Sequence, residues 1–184
     1  GQKLRISLMP GTELSEYSIH FTEPYLKDQP VALDLVASSY ERERESYDEQ
    51  RTKGLVAFEK RYNKSWRGSI GFRAESVDVE EIDLTAPEEI RELKGSNNLF
   101  GIKVGVSRDL TDNDFLPTSG DVFSTYIEQV VGDFDFTILN ATYRRFWTVY
   151  EDLAGKKTVL AAKVRGGNIF GEAPAFEKFY AGGQ

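Results

Sequence analysis

The residues that could carry chemistry are few and scattered. His20 is the only histidine and there is no cysteine, so a nucleophilic relay or a transition-metal site would have to be built from this imidazole and carboxylates alone. His20 alternates with Glu16, Ser18 and Thr22 along an extended stretch, which puts it on a polar face and favours a hydrogen-bonded network residue over a catalytic one. Asp34, Glu75 and Glu128 lie in strand-like segments and could pair for general acid–base work. No spacing fixes their separation, and ion pairs with Arg73, Arg144 or Lys163 are the plainer expectation. The run Glu41, Arg42, Glu43, Arg44, Glu45 alternates in sign; in an extended chain its acids share one face and its guanidinium groups the other, which suits cross-strand charge pairs at a hairpin tip. Asp78, Glu80, Glu81 and Asp83 could offer oxygens to a hard cation, but no glycine turn of a calcium loop surrounds them. No glycine-rich loop leads into a helix, so a nucleotide phosphate finds no cradle. These patterns predict a non-enzymatic protein with no metal and no cofactor.

Composition narrows the class. The 184 residues suit one domain. With 23 basic against 30 acidic residues and a net charge of -7, the chain lacks the phosphate-neutralising surface of a nucleic-acid binder. It has no run approaching the roughly 18 apolar residues of a transmembrane helix. A membrane barrel needs no such run, because lipid-facing and lumen-facing side chains alternate, and the mean hydropathy of -0.45 is compatible with one. The start, Gly1-Gln2-Lys3-Leu4-Arg5, has no apolar signal region, so the sequence reads as mature or truncated.

The elements that position these side chains are strands. Phe100, Ile102, Val104 and Val106 alternate with Gly101, Lys103, Gly105 and Ser107, which is one strand with one apolar face. Trp66 to Glu75 repeats the pattern, as do Tyr17, Ile19, Phe21 and Leu160, Ala162, Val164, and weaker versions begin near Leu4, Val31, Val56, Phe123 and Phe136. About nine strands result. Short turns at 10–12 and 63–65 carry turn chemistry, whereas 41–53 and 78–98 read as long charged connections, so neighbouring strands are antiparallel. The one helix expected, over 85–95, has Thr85 and Glu88 as a capping box, Gly95 at its far end and too few apolar positions for a core helix. Aromatic residues gather near strand ends, at Phe21 and Tyr25, Tyr62 and Trp66, and Phe146, Trp147 and Tyr150, as interfacial girdles do.

Four segments, in this order, carry a family likeness: Phe21-Thr22-Glu23-Pro24-Tyr25-Leu26, Leu116-Pro117-Thr118-Ser119-Gly120, Asn140-Ala141-Thr142-Tyr143 and Phe179-Tyr180-Ala181-Gly182-Gly183. Together they resemble the barrel of BamA-like outer-membrane assembly factors, the bacterial surface antigen family. Locally, Pro24 removes a backbone donor where a strand leaves the sheet, Pro117 with Gly120 makes a tight re-entry turn, and Gly182 with Gly183 permits close backbone approach.

The resemblance implies an all-β, antiparallel, up-and-down transmembrane barrel in a Gram-negative outer membrane. Of its about sixteen strands this chain would supply the third to the eleventh, without the first and last strands or the periplasmic repeats. It implies that the proline turns are periplasmic, that 41–53 and 85–95 lie outside the cell, and that Phe179, Tyr180, Gly182 and Gly183 begin a loop folded into the lumen. The implied activity is mechanical, the insertion of other outer-membrane proteins. The implied partners are outer-membrane lipids, unfolded outer-membrane proteins and accessory assembly lipoproteins, with the edges of this segment paired by other strands of the parent barrel or by another copy. A translocation and assembly module or a two-partner secretion transporter would share the barrel, and a soluble β-barrel or sandwich binding an apolar ligand or a protein would share the alternation.

Overall fold

A computed structural model describes residues 1–12, 14–43, 47–83 and 87–177. The alternating segments form strands β1 (Lys3–Met9), β2 (Leu14–Glu23), β3 (Val31–Glu43), β4 (Asp48–Arg61), β5 (Trp66–Glu80), β6 (Gly95–Asp109), β7 (Gly120–Gly132), β8 (Phe136–Glu151) and β9 (Lys157–Gly171). They make one 9-stranded sheet in chain order, each strand antiparallel to the next. No pairing joins β1 to β9 among the described residues. The turns after β2, β4, β6 and β8 therefore share one rim, the proline rim. Those after β1, β3, β5 and β7, and the segment after β9, share the other, the loop rim.

Strand length reflects backbone pairing more than side-chain pattern. β5 and β6 each span 15 residues, about 50 Å of extended chain. Much of what reads as charged loop in 41–53 and 78–98 is strand: pairing continues through Arg42↔Glu49 and Glu43↔Asp48, and β5 reaches Glu80 before β6 opens at Gly95. Main-chain hydrogen bonds hold these ends where no apolar alternation marks them.

The polarity of the faces reverses along the strands. Over most of its length the sheet points Ile70, Phe72, Ile102, Val104, Ile127, Leu139 and Leu160 outward, where they stay exposed. Towards the loop rim the outward residues become Ser76, Asp78, Ser96 and Asn98, and the inward ones become the buried Val77, Val79, Leu99, Val130, Phe136 and Ile138. Among the described residues the hydrophobic core lies in this part, towards the loop rim. Two clusters, Leu99 with Val130, Phe136 and Ile138, and Val77 with Val79 and Leu93, are bridged by Phe134 and Phe176, whose rings meet edge to face at 6.3 Å. The inner face is the one that residues 87–94 and 172–177 fold over.

The expected helix is a single turn, α1 (Glu88–Arg91), with Pro87 at its N-cap and no side-chain cap bond. Thr85, the expected cap, lies outside the described residues. A four-residue helix gains little from propensity, and packing places it: Leu93, just after it, is 4% exposed against Val77 and Val79. The connection is a lid over the inner face rather than a free surface loop. Gly95 opens β6 instead of ending the helix, at a φ of 99° that favours glycine.

Candidate functional site

The most connected polar cluster lies on the inner face, just below the core clusters. The strand period brings Glu49 and Arg51 from β4, Arg73 and Glu75 from β5 and Glu128 from β7 to that face. The short 3-10 turn Ala175–Glu177 adds Glu177. Arg51 pairs with Glu49 at 2.9 Å, with Glu75 at 3.1 Å and with Glu177 at 3.4 Å. Arg73 pairs through Nη1 with Glu75 at 2.9 Å and with Glu177 at 3.3 Å, and through Nε with Glu128 at 2.9 Å. The Arg51 guanidinium also lies 5.2 Å from the centre of the Phe176 ring.

Charge balance is completed by position. Lys53 is the register partner of Glu75, and Lys103 that of Glu128, so ammonium groups border the four carboxylates where the two guanidiniums alone would fall short. Arg73 Nε and Glu75 Oε1 touch their ion partners at angles poor for hydrogen bonds, and Arg73 Nη2 is buried with no hydrogen-bond partner among the described residues. Bridging guanidiniums are suited to holding several carboxylates at fixed positions. This arrangement ties the segment after β9 to strands β4, β5 and β7.

The other candidate chemistry falls into separate places. His20 Nε2 lies 3.5 Å from Asp34 Oδ1, and the Thr22 hydroxyl donates to that same oxygen at 2.6 Å. A relay would need Thr22 to donate to the imidazole, so this trio is a polar network, as expected for His20. Glu75 and Glu128 do pair with Arg73, and one guanidinium joins them, whereas Asp34 stands apart on β3. Among the described residues no group of three His, Asp or Glu converges as a metal site; Asp78 and Glu80 point outward, away from Val79.

The described motif positions, Phe21, Glu23, Pro24, Tyr25, Pro117 and Gly120, lie at the proline rim in two separate turns, after β2 and after β6. Phe21 points outward on β2, beside Ile19 and Leu35. Glu23 ends β2, accepting hydrogen bonds from Gln2 Nε2 at 2.7 Å and the Tyr25 N–H at 3.1 Å, so it ties the Pro24-Tyr25 turn. In the turn holding Pro117, Asp112 accepts from the Thr118 and Ser119 N–H groups and the Thr118 hydroxyl. These donors hold the Asp112 carboxyl far below the usual carboxylate range. Gly120, at a φ of 102°, enters β7 so close to the chain that a Cβ would sit 2.1 Å from the Leu110 carbonyl oxygen. Phe179, Tyr180, Gly182 and Gly183 lie outside the described residues.

Sequence reasoning missed Glu49, Arg51 and Glu177. The signal available was phase: Glu49, Arg51 and Lys53 alternate in step with Leu55 on the inner face, but they fall where the chain reads as loop.

All residues from 1 to 184 match the model of the Omp85 superfamily domain. The chain is 33% identical over 121 residues to a protein from Nitratidesulfovibrio vulgaris (strain Hildenborough) named outer membrane protein assembly factor BamA; the match takes in 61% of this chain and 15% of that relative. Its fold is similar to the crystal structure of BamA from Haemophilus ducreyi lacking POTRA domains 1-3, with a TM-score of 0.75 at 12% identity, over 100% of this chain and 39% of that one. An outward apolar band, an inner polar face and an up-and-down antiparallel order are what a membrane barrel requires. The chain belongs to the Omp85 superfamily, and its sheet is a BamA-like wall of an outer-membrane β-barrel.

Proposed function

We propose that this chain is the central wall of a barrel that inserts and assembles other outer-membrane proteins, and that it holds the barrel's inward-turning segment in place. The observation that carries this reading is Glu177, which follows β9 and reaches Arg51 and Arg73 across the inner face. In this reading the proline rim is periplasmic and the loop rim faces outside. The outward band meets outer-membrane lipid, and β1 and β9, each unpaired along one edge among the described residues, pair with further strands of the parent barrel or a second copy.

The work is mechanical. An edge that offers unpaired N–H and C=O groups can template an incoming strand, and the wall keeps that edge in register while the lumen network keeps the inward loop seated. Unfolded outer-membrane proteins are the substrates and assembly lipoproteins the accessory partners. The test is folding of a urea-unfolded outer-membrane barrel into liposomes, read by its heat-sensitive gel mobility, with and without the full-length protein. Folding is expected to accelerate, and a Glu177→Lys variant to lose most of the acceleration. Equal rates with and without the protein would overturn the reading.

A further inference from the structure

The inner wall below the ion network carries cations that its own carboxylates leave largely uncompensated. Register puts Arg61 directly opposite Arg67, and Arg144 directly opposite Lys163, with Arg165 two residues further along β9. Like charges facing one another across strands repel. None of these groups forms an ion pair among the described residues. The carboxylates beside them are Glu59, on the row of Ser69, and Asp109, which feels both Arg67 and Arg144. In a chain of net charge -7 this positive surface is a local feature.

Among these cations lies a hollow of about 180 Å³. Gly105 lies among its lining residues, Arg67 supplies charge, Ser69, Ser107 and Ser124 supply hydroxyls, Glu59 stands at its edge, and Lys103, which also faces Glu128 from β6, borders it. The Lys103 ammonium rests 3.8 Å above the Tyr126 ring, which holds it over the opening. A Cβ on Gly105 would come within 2.8 Å of Ser69 Oγ, so glycine keeps the space clear. A hollow of this size has room for an acidic side chain, which Arg67 and the hydroxyls can hold by charge-assisted hydrogen bonds. The remaining cations do not converge on that point; they spread over β8 and β9, where same-face residues are about 7 Å apart. Spacing of this kind fits an extended chain bearing several carboxylates better than a single phosphate, and the wall faces away from lipid.

We infer that the lumen wall below the network is a docking surface for an acidic polypeptide segment, with one Asp or Glu side chain seated over Gly105 and others on Arg144, Lys163 and Arg165. Electrostatic complementarity would steer such a segment into the lumen and hold it in a salt-dependent way. The inference rests on the reading of the inner face as a water-filled lumen.

The test is binding of a fluorescent ten-residue glutamate peptide to the full-length protein in detergent, with the glutamine peptide as control. The glutamate peptide is expected to bind at least tenfold more tightly. Two variants are each expected to weaken it at least tenfold: Arg67→Gln/Arg144→Gln/Arg165→Gln, which removes charge, and Ser107→Leu, which fills the hollow and leaves every charge in place. Unchanged binding in both variants, or competition by inorganic phosphate or phosphatidylglycerol vesicles as effective as unlabelled glutamate peptide, would overturn the inference. Heat-sensitive gel mobility confirms that each variant folds. A Thr142→Cys variant separates the two readings: if it reacts with a water-soluble maleimide while glutamate peptide does not bind, the lumen stands and the acidic-segment inference falls.

Discussion

Replacing Arg73 with methionine is expected to cost the fold about 3–5 kcal/mol, the range for breaking a buried ion network by removing one member. The Arg73 side chain is 8% exposed and touches Glu75, Glu128 and Glu177, so its loss takes the guanidinium from Glu128 and leaves Glu75 and Glu177 to Arg51 alone in a buried site. The cost comes from uncompensated charge, so it should shrink when charge is removed with it. Arg73→Met/Glu75→Leu is therefore expected to be less destabilised than the sum of the two single variants, with a coupling of about 1–3 kcal/mol. Urea titrations of the detergent-solubilised protein measure all three. Strict additivity would mean that the contacts at Arg73 do not act as a unit. The variant should also release the segment after β9, read as faster proteolysis after Phe176.

An arginine on the outward face should be as damaging for a different reason. Ile102 is 53% exposed in the isolated sheet and sits mid-strand in the apolar band. Ile102→Arg places a charge against hydrocarbon, at a cost of about 2–4 kcal/mol near the bilayer centre. The same residue introduced on the inner face, as Ser18→Arg on β2, meets water and polar neighbours and should stay within about 0.5 kcal/mol of the parent. Unfolding in lipid bilayers distinguishes the two. Equal costs at both positions would remove the distinction between the faces on which the barrel reading depends.

Much of this architecture was legible because the strand period is rigid. Phe100 to Ser107 alternates so cleanly that face, order and antiparallel pairing follow from it. The inward placement of His20, Arg73, Glu75 and Glu128 was readable in the same way. What stayed hidden depended on the third dimension. The reversal of face polarity near Ser76 and Leu99 breaks the alternation at the height where lipid gives way to water outside and a core begins inside. A sequence pattern that expects one phase per strand ends there, so Val79 and the paired 41–53 hairpin read as loop. Leu93 looked like a surface residue because its partners come from strands on either side of it in sequence. Glu177 could not be linked to Arg51, 126 positions away, by any local rule.

The measurement closest to the central claim is a spin-label scan along β6, one cysteine at a time from Leu99 to Ser107, in the full-length protein in bilayers. Collision with oxygen reports lipid, and collision with a water-soluble nickel chelate reports the lumen. Alternation is expected below the ion network: labels at Phe100, Ile102, Val104 and Val106 accessible to oxygen, labels at Lys103, Gly105 and Ser107 accessible to nickel, and labels at Leu99 and Gly101, packed in the core and against Glu128 and Arg73, reached little by nickel. Nickel access at Phe100, Ile102, Val104 and Val106, or no alternation at all, would contradict a membrane wall with a watered lumen.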